Sequence, residues 1–278
     1  TKSFLQKFDP AGNSLWSTTF SHGRFNHVAD LVIDDNGNIY SSSIGGLFLN
    51  GGNLIMQKHD PNANQIWERA IGGNNEFGRV YAMHLDSLDN VYYGGTYIGL
   101  VDFDPNPYTE YLDTAIAMYG NNFFLKLSSA GGFIWEFGVA TYGWNAGMQE
   151  LFQLDADNNV YVFNNFEETV DIDPGPGTTN LTTQSWNYAD VYFMRYSQGP
   201  CANMYTEVDT VYNWSCGADG WIATTTYNGT APYTYLWNST PPSDSANVVA
   251  TSSGIYELTV TDAVGCTTEK AILINGPT

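Results

Sequence analysis

FLQKFDPAGNSLW at residues 4–16 returns as LIMQKHDPNANQIW at 54–67 and as FFLKLSSAGGFIW at 123–135, and YFMRYSQG at 192–199 begins a fourth copy. The basic residue sets the register: Lys7, Lys58, Lys126 and Arg195 are 51, 68 and 69 residues apart, and Trp16, Trp67 and Trp135 keep the same step. A second motif follows each of the first three: LVIDDNGNIY at 31–40, MHLDSLDNVY at 83–92 and FQLDADNNVY at 152–161. Both motifs place two β-rich runs around an Asp/Asn/Gly/Pro turn, the pattern of a β-hairpin. A period of this length built from hairpins predicts stacked four-stranded units, a propeller or a related array. The expected units lie near 4–53, 54–122 and 123–189, with the start of a fourth at 190–198.

Composition agrees with an all-β chain. Aromatic residues make up 15% of 278 residues, and no helix-period segment of useful length competes with the alternating runs. Nine Lys and Arg stand against 29 Asp and Glu, for a formal charge of -20. Such a chain repels phosphate backbones and anionic lipid, so neither nucleic acid nor direct membrane insertion is expected, and no apolar run approaches the roughly 18 residues of a spanning helix. The opening at Thr1, with no initiator Met, suggests a processed or excerpted chain.

From 201 to 278 the texture changes. Thr and Ser rise, and short strands are expected in TEVDTVYNW, GWIATTTYN, PYTYLWNS, ANVVATS, IYELTVTD and EKAILIN, as in a small β-sandwich. All three cysteines, Cys201, Cys216 and Cys266, lie here, which suits one disulfide in an oxidising, extracellular setting and leaves one thiol over.

Two inserted hairpins carry the chemistry that first invites a functional reading. VDFDPNP at 101–107 and VDIDPGP at 170–176 put Asp102 with Asp104, and Asp171 with Asp173, at i and i+2 of a strand, about 7 Å apart on one face. Calcium is the candidate cofactor, provided other oxygens complete its six to eight ligands. The structural alternative has the second Asp capping the Asp-Pro turn while the first pairs with a repeated Lys or Arg. GLFLNGGN at 46–53 turns the same corner with no aspartate. The Asp/Asn loops at 34–38, 86–90 and 155–159 lack the twelve-residue calcium-loop spacing and read as hairpin turns. The four histidines form no metal or nucleophile motif, which points to a non-enzymatic protein. Tyr142, Trp144, Trp186 and Tyr188, in loops between repeats, are candidates for stacking on a glycan or a protein surface; the alternative is that Trp144 and Trp186 plug the contacts between units.

The first 198 residues resemble the bacterial SBBP-type β-propeller repeats, whose units combine a V-D-F-D-P-G stretch with an F-V-x-K-L-D-x-x-G-N-x-x-W stretch. The first unit departs by lacking Asp-x-Asp, and the third by lacking Asp-Pro after its Lys. Just over three units are fewer than the four to eight blades of a closed ring, so an open array, or one completed by other blades, is expected. The segment SCGADGWIATTTYNGTAPYTYLWN, followed by SSGIYELTVTDAVGCT, resembles the SprB-type Ig-like repeat of adhesins on gliding Bacteroidota. That resemblance implies a Cys216–Cys266 bond, with Cys201 outside the motif, and export by type IX secretion. Asp-Ser/Thr followed by an apolar residue resembles the O-glycosylation site of such exported proteins and occurs at Ser87, Thr114, Thr210 and Ser245.

The expectation is therefore an all-β chain, propeller-type repeats over 1–200 and an Ig-like module over 201–278, serving as an extracellular or surface adhesin or filament component. Its partners would be a glycan, a protein surface or further copies of itself. The alternatives are a fragment of a polysaccharide-processing enzyme with its catalytic part elsewhere, and a structural spacer.

Overall fold

The computed structural model describes residues 3–20, 27–46, 52–72, 77–108, 112–115, 121–140, 151–173, 178–183, 189–199, 201–215, 218–240 and 242–276. Among these the regular structure is entirely β, in six sheets of which none closes on itself, and no helix is long and apolar enough to cross a membrane.

The first motif folds as a hairpin wherever it is complete. β1 (Ser3–Phe8) pairs with β2 (Ser14–Phe20). The next repeat supplies β3 (His27–Ile33), β4 (Ile39–Gly46), β5 (Gly52–His59) and β6 (Gln65–Ile71), each antiparallel to its predecessor. β7 (Phe77–Leu85), β8 (Val91–Asp102), β10 (Asn121–Leu127) and β11 (Phe133–Ala140) repeat that order, with β9 (Leu112–Ala115) paired to the far end of β8. One parallel bridge, Gly52 to Phe77, joins the two groups into a nine-stranded sheet. A third group has β12 (Leu151–Leu154), β13 (Val160–Phe166) and β16 (Asp190–Tyr196), and beside it β14 (Thr169–Asp171) pairs with β15 (Asn180–Thr182). The sheets thus cut the repeat at a different phase from the sequence units near 4–53, 54–122 and 123–189. A periodic pattern has no intrinsic start; hydrogen bonding between the second motif and the first motif of the next copy sets it.

Local sequence explains the repetition. β3/β4 and β7/β8 slip register at the same repeat position, at Val28/Asp30 and at Val80/Ala82. The residues that end the slip, Asp30 and Ala82, each precede a turn aspartate by four positions. Gly95 on β8 lies so close to β7 and β10 that a Cβ there would run into the Arg79 carbonyl and the Phe123 ring. Phe124, Tyr92 and Val139 of the second group pack with Phe152, Val160, Val162, Tyr192 and Met194 of the third in one core.

The C-terminal strands form two three-stranded sheets. β17 (Tyr205–Tyr212), β18 (Gly220–Tyr227) and β20 (Val248–Ala250) make one, and β19 (Thr234–Trp237), β21 (Gly254–Thr261) and β22 (Thr267–Ile274) the other. Both contribute to one apolar core: Val208, Ile222 and Val248 from the first, Trp237, Leu258 and Ile272 from the second.

The chain divides into two compact units. One comprises Thr1–Phe103, Leu112–Gly131 and Trp135–Ser197, and the other Asp104–Tyr111, Gly132–Ile134 and Gln198–Thr278. The second therefore takes in two short stretches that lie inside the repeat sequence.

The disulfide departs from the expected Cys216–Cys266 pairing. Cys266 is bonded to Cys201, at a Cα separation of 5.2 Å. The physical reason is the folding of the segment before β17: Met204 N–H donates to the Cys201 carbonyl and the Met204 side chain joins the module core, which carries Cys201 to the buried Cys266. Cys216 lies outside the described residues.

Candidate functional site

The carboxylates are placed by one recurring turn. In the five D-x-x-x-N segments that begin at Asp9, Asp34, Asp60, Asp86 and Asp155, the Asp amide donates to the carbonyl four residues on, and the residue at the fourth position donates back to the Asp carbonyl. That fourth residue has positive φ in all five, at Gly12, Gly37, Ala63, Asp89 and Asn158, as do Gly131 and Gly265 at the same place in the turns of 128–132 and 262–266. This is the left-handed residue of a short hairpin loop, where Gly, Asn and Asp are tolerated.

The Asp side chain then ties the loop. Asp86 Oδ1 accepts the amides of Leu88 and Asn90, both at 2.9 Å, and Oδ2 accepts Asn90 Nδ2 at 2.9 Å and the Tyr92 hydroxyl at 3.3 Å. Asp34 repeats the set with Asn36, Asn38 and Tyr40. Asp155 does so with Asp157 and Asn159.

Each of these three carboxylates also faces the repeated basic residue. Lys58 Nζ is 3.9 Å from Asp34, Lys126 Nζ 3.1 Å from Asp86 and Arg195 Nε 3.9 Å from Asp155. Strand register brings them there, because Lys58, Lys126 and Arg195 lie directly across from Tyr40, Tyr92 and Tyr161 and sit over those rings at 4.7, 4.6 and 5.9 Å. The basic residues therefore pair with the turn aspartates of the second motif, rather than with the Asp-x-Asp hairpins.

Burial tends to raise the Asp34 pKa, but the Asn38 side chain and amide, Lys58 and the Asn36 amide together hold it below the ordinary carboxylate value. Asp155 is lowered chiefly by the Asn159 side chain. For Lys126 burial dominates and pulls the ammonium pKa down, against the opposing charge of Asp86.

The Asp-x-Asp pairs do not share a pleat. Asp102 ends β8 and Asp171 ends β14, so Asp104 and Asp173 lie beyond their strands. Asp104 Oδ2 binds Lys270 Nζ at 2.8 Å, with both side chains nearly buried, while Oδ1 accepts the Asn106 amide at 2.9 Å. Asp171 Oδ1 accepts the amides of Asp173 and Thr179 at 3.1 and 2.8 Å. Among the described residues no three His, Cys, Asp or Glu side chains are grouped to hold a metal ion. Asp104 thus places its two oxygens on an ammonium and an amide, and Asp171 places Oδ1 on two amides.

Tyr142, Trp144, Trp186 and Tyr188 lie outside the described residues. Ser87 and Ser245 are exposed in loops, Thr210 is half-buried on β17, and Thr114 stands on β9 opposite Leu100. His59 is buried in β5, where burial lowers its pKa, and His84 Nε2 lies 2.8 Å from the Phe152 carbonyl.

Two aromatic surfaces went unnoticed in the sequence. Register places Tyr212, Trp221 and Val249 in one row across β17, β18 and β20, and the row is open to solvent, with Tyr212 64% and Trp221 37% exposed. The signal was present in GWIATTTY, where Gly220, Ile222 and Thr224 are buried and Trp221 alternates outward. On the third repeat group, Phe163 and Phe193 face each other across β13 and β16 and are both exposed, with Val191 two residues along.

No protein-family model matches the chain, and no curated protein matches it.

Proposed function

We propose that the protein is a non-enzymatic, secreted or cell-surface adhesin or extracellular filament component, in which SBBP-type propeller repeats carry an SprB-type Ig-like module. The observation that carries this reading is the row Tyr212–Trp221–Val249 on a sheet surface. Flat aromatic faces held by a sheet stack on the apolar faces of sugar rings or on apolar side chains, at little cost in side-chain entropy. Two further features support the reading. Three groups of antiparallel strands repeating one order suit propeller blades, and two three-stranded sheets around one core suit an Ig-like sandwich. The Cys201–Cys266 bond suits an oxidising compartment.

The test is binding of the whole chain to an immobilised panel of neutral polysaccharides, beside the Trp221→Ala and Tyr212→Ala variants. Signals on one or more glycans that both variants lose, with unchanged circular dichroism, are expected. Wild-type silence across the panel, or binding that neither variant alters, would remove the aromatic row as a glycan-binding site. A spacer role is the second reading, favoured by the repeated Asp–Lys clamps, which commit polar side chains to rigidity.

A further inference from the structure

Lys58, Lys126, Arg195 and Lys270 each face an aspartate, and Arg69 donates to the carbonyls of Gly131, Ala130 and Glu68. Arg79 on β7 is different. No carboxylate or carbonyl among the described residues takes its guanidinium, which lies 5.1 Å over the Tyr81 ring with a buried Nε that has no protein hydrogen-bond partner. Leaving a partly buried charge unpaired is destabilising, and in a chain of formal charge -20 an arginine without an acid is an exception.

Strand register sets two further polar side chains beside it. Thr96 on β8 lies directly across from Arg79, and Asn122 on β10 directly across from Thr96, so the three form one row on one sheet face. Asn122 is 0% exposed, and neither its Nδ2 nor its Oδ1 has a protein partner. Arg79, Thr96 and Tyr81 are half-buried, so the row runs from a closed end at Asn122 to a partly open one at Arg79.

The repeat itself does not ask for these residues. Arg79 stands seven residues before the turn aspartate Asp86, Thr96 four after Tyr92 and Asn122 four before Lys126; in the first group those positions are His27, Ile44 and Leu54, in the same cross-strand row. There Leu54 packs on Gly78 of the second group, where an added Cβ would lie 3.1 Å from it. In the third group the Asn122 position is Val191. The other groups thus use an aliphatic residue where the second buries an amide with its donors and acceptor unmet, a loss that burial alone does not offset. The row lies in the middle group, with a repeat group on either side of it.

We propose that Arg79, Thr96 and Asn122 bind a sugar acid. The guanidinium fork matches a carboxylate, the Asn122 amide offers two donors and an acceptor to adjacent hydroxyls, and Thr96 adds a hydroxyl between them. Directly opposed residues stand about 5 Å apart, so the row spans about 10 Å, a length that a pyranose ring bearing a carboxylate bridges and a lone acetate does not. The site uses no residue of the Tyr212–Trp221 row, goes beyond the proposed function and stands independently of it.

Nuclear magnetic resonance of the whole chain titrated with glucuronate tests it, read at the Arg79 Nε–H and Asn122 side-chain amide signals, with glucose and acetate as controls. Expected are saturable shifts of both signals with glucuronate, none with glucose, and acetate binding weaker by about tenfold or more. Asn122→Leu, read at Arg79, and Arg79→Gln, read at Asn122, each weaken glucuronate by about tenfold or more. Circular dichroism checks that both variants fold, and Asn122→Val and Arg79→Lys replace them if either does not. No saturable shift, a response that neither variant alters, or equal affinity for acetate each overturns the proposal. So does an ordered water detected at the Asn122 amide that glucuronate does not displace.

Discussion

Lys126 Nζ lies 3.1 Å from Asp86 Oδ2 with neither side chain exposed, and the ammonium sits 4.6 Å over the Tyr92 ring. The equivalent Arg195 and Asp155 are 3.9 Å apart and partly solvated. The same sequence element thus gives one desolvated ion pair and one wet one.

Lys126→Met should therefore destabilise the fold by about 3 kcal/mol, because it strands a buried carboxylate, whereas Arg195→Met should cost about 1 kcal/mol or less. Adding Asp86→Asn to Lys126→Met should recover part of the loss. Urea denaturation of the four proteins measures this, and equal costs for the two single variants would show that burial does not set the strength of the pair.

Ala63 holds a φ of 67° at the turn position that Gly12, Gly37, Gly131 and Gly265 fill elsewhere. Ala63→Gly should stabilise the chain by about 0.5–1 kcal/mol, since relief of the left-handed strain exceeds the added chain entropy of glycine. A shift of the urea midpoint to higher denaturant with an unchanged slope is the expected reading.

The Cys201–Cys266 bond spans 65 residues of sequence. Loop-closure entropy for that span corresponds to about 4 kcal/mol. Cys201→Ser and Cys266→Ser should each lower the melting temperature, Cys266→Ser by more because it also buries a hydroxyl. Non-reducing peptide mapping should recover the 201 and 266 peptides joined.

Asp104 is committed to Lys270 and to its own turn, and Asp171 to two backbone amides. Thermal unfolding with millimolar calcium and with excess chelator should superimpose. Asp104→Asn should lower stability by about 3 kcal/mol through the stranded Lys270 ammonium. A calcium-dependent rise in melting temperature that Asp171→Asn abolishes would count against this assignment.

Asp9, Asp60 and Asp155 have pKa values held below the ordinary 3.8 mainly by the Asn side chain four residues on, and Asp262 mainly by the Thr230 amide. Asp34 is lowered by its hydrogen bonds and Lys58 in spite of burial. A carboxylate with a depressed folded pKa contributes fully above its unfolded value and loses that contribution as the pH falls through the folded one. Asp89, raised mainly by burial, acts in the opposite sense. With five lowered groups against one raised, melting temperature should fall as the pH drops below 3.8. Asn38→Ala should be less stable than wild type at neutral pH and converge with it in acid.

Much of this molecule was legible as a string. Alternating runs around Asp/Asn/Gly turns specified hairpins, and the spacing of Lys7, Lys58, Lys126 and Arg195 specified that the hairpins repeat, because both signals depend only on neighbours along the chain. The roles of the carboxylates were not legible in the same way. Asp34 and Asp102 both follow a β-rich run before a turn, and only cross-strand register, Tyr40 opposite Lys58, decides which aspartate the lysine meets. The disulfide obeys the same logic: three cysteines allow any pairing on paper, and the path of the chain into β17 brings Cys201 to Cys266. Exposure belongs wholly to tertiary structure. Phe124 and Phe193 are one residue of one repeat, and what separates a core side chain from an open face is whether another sheet packs upon it.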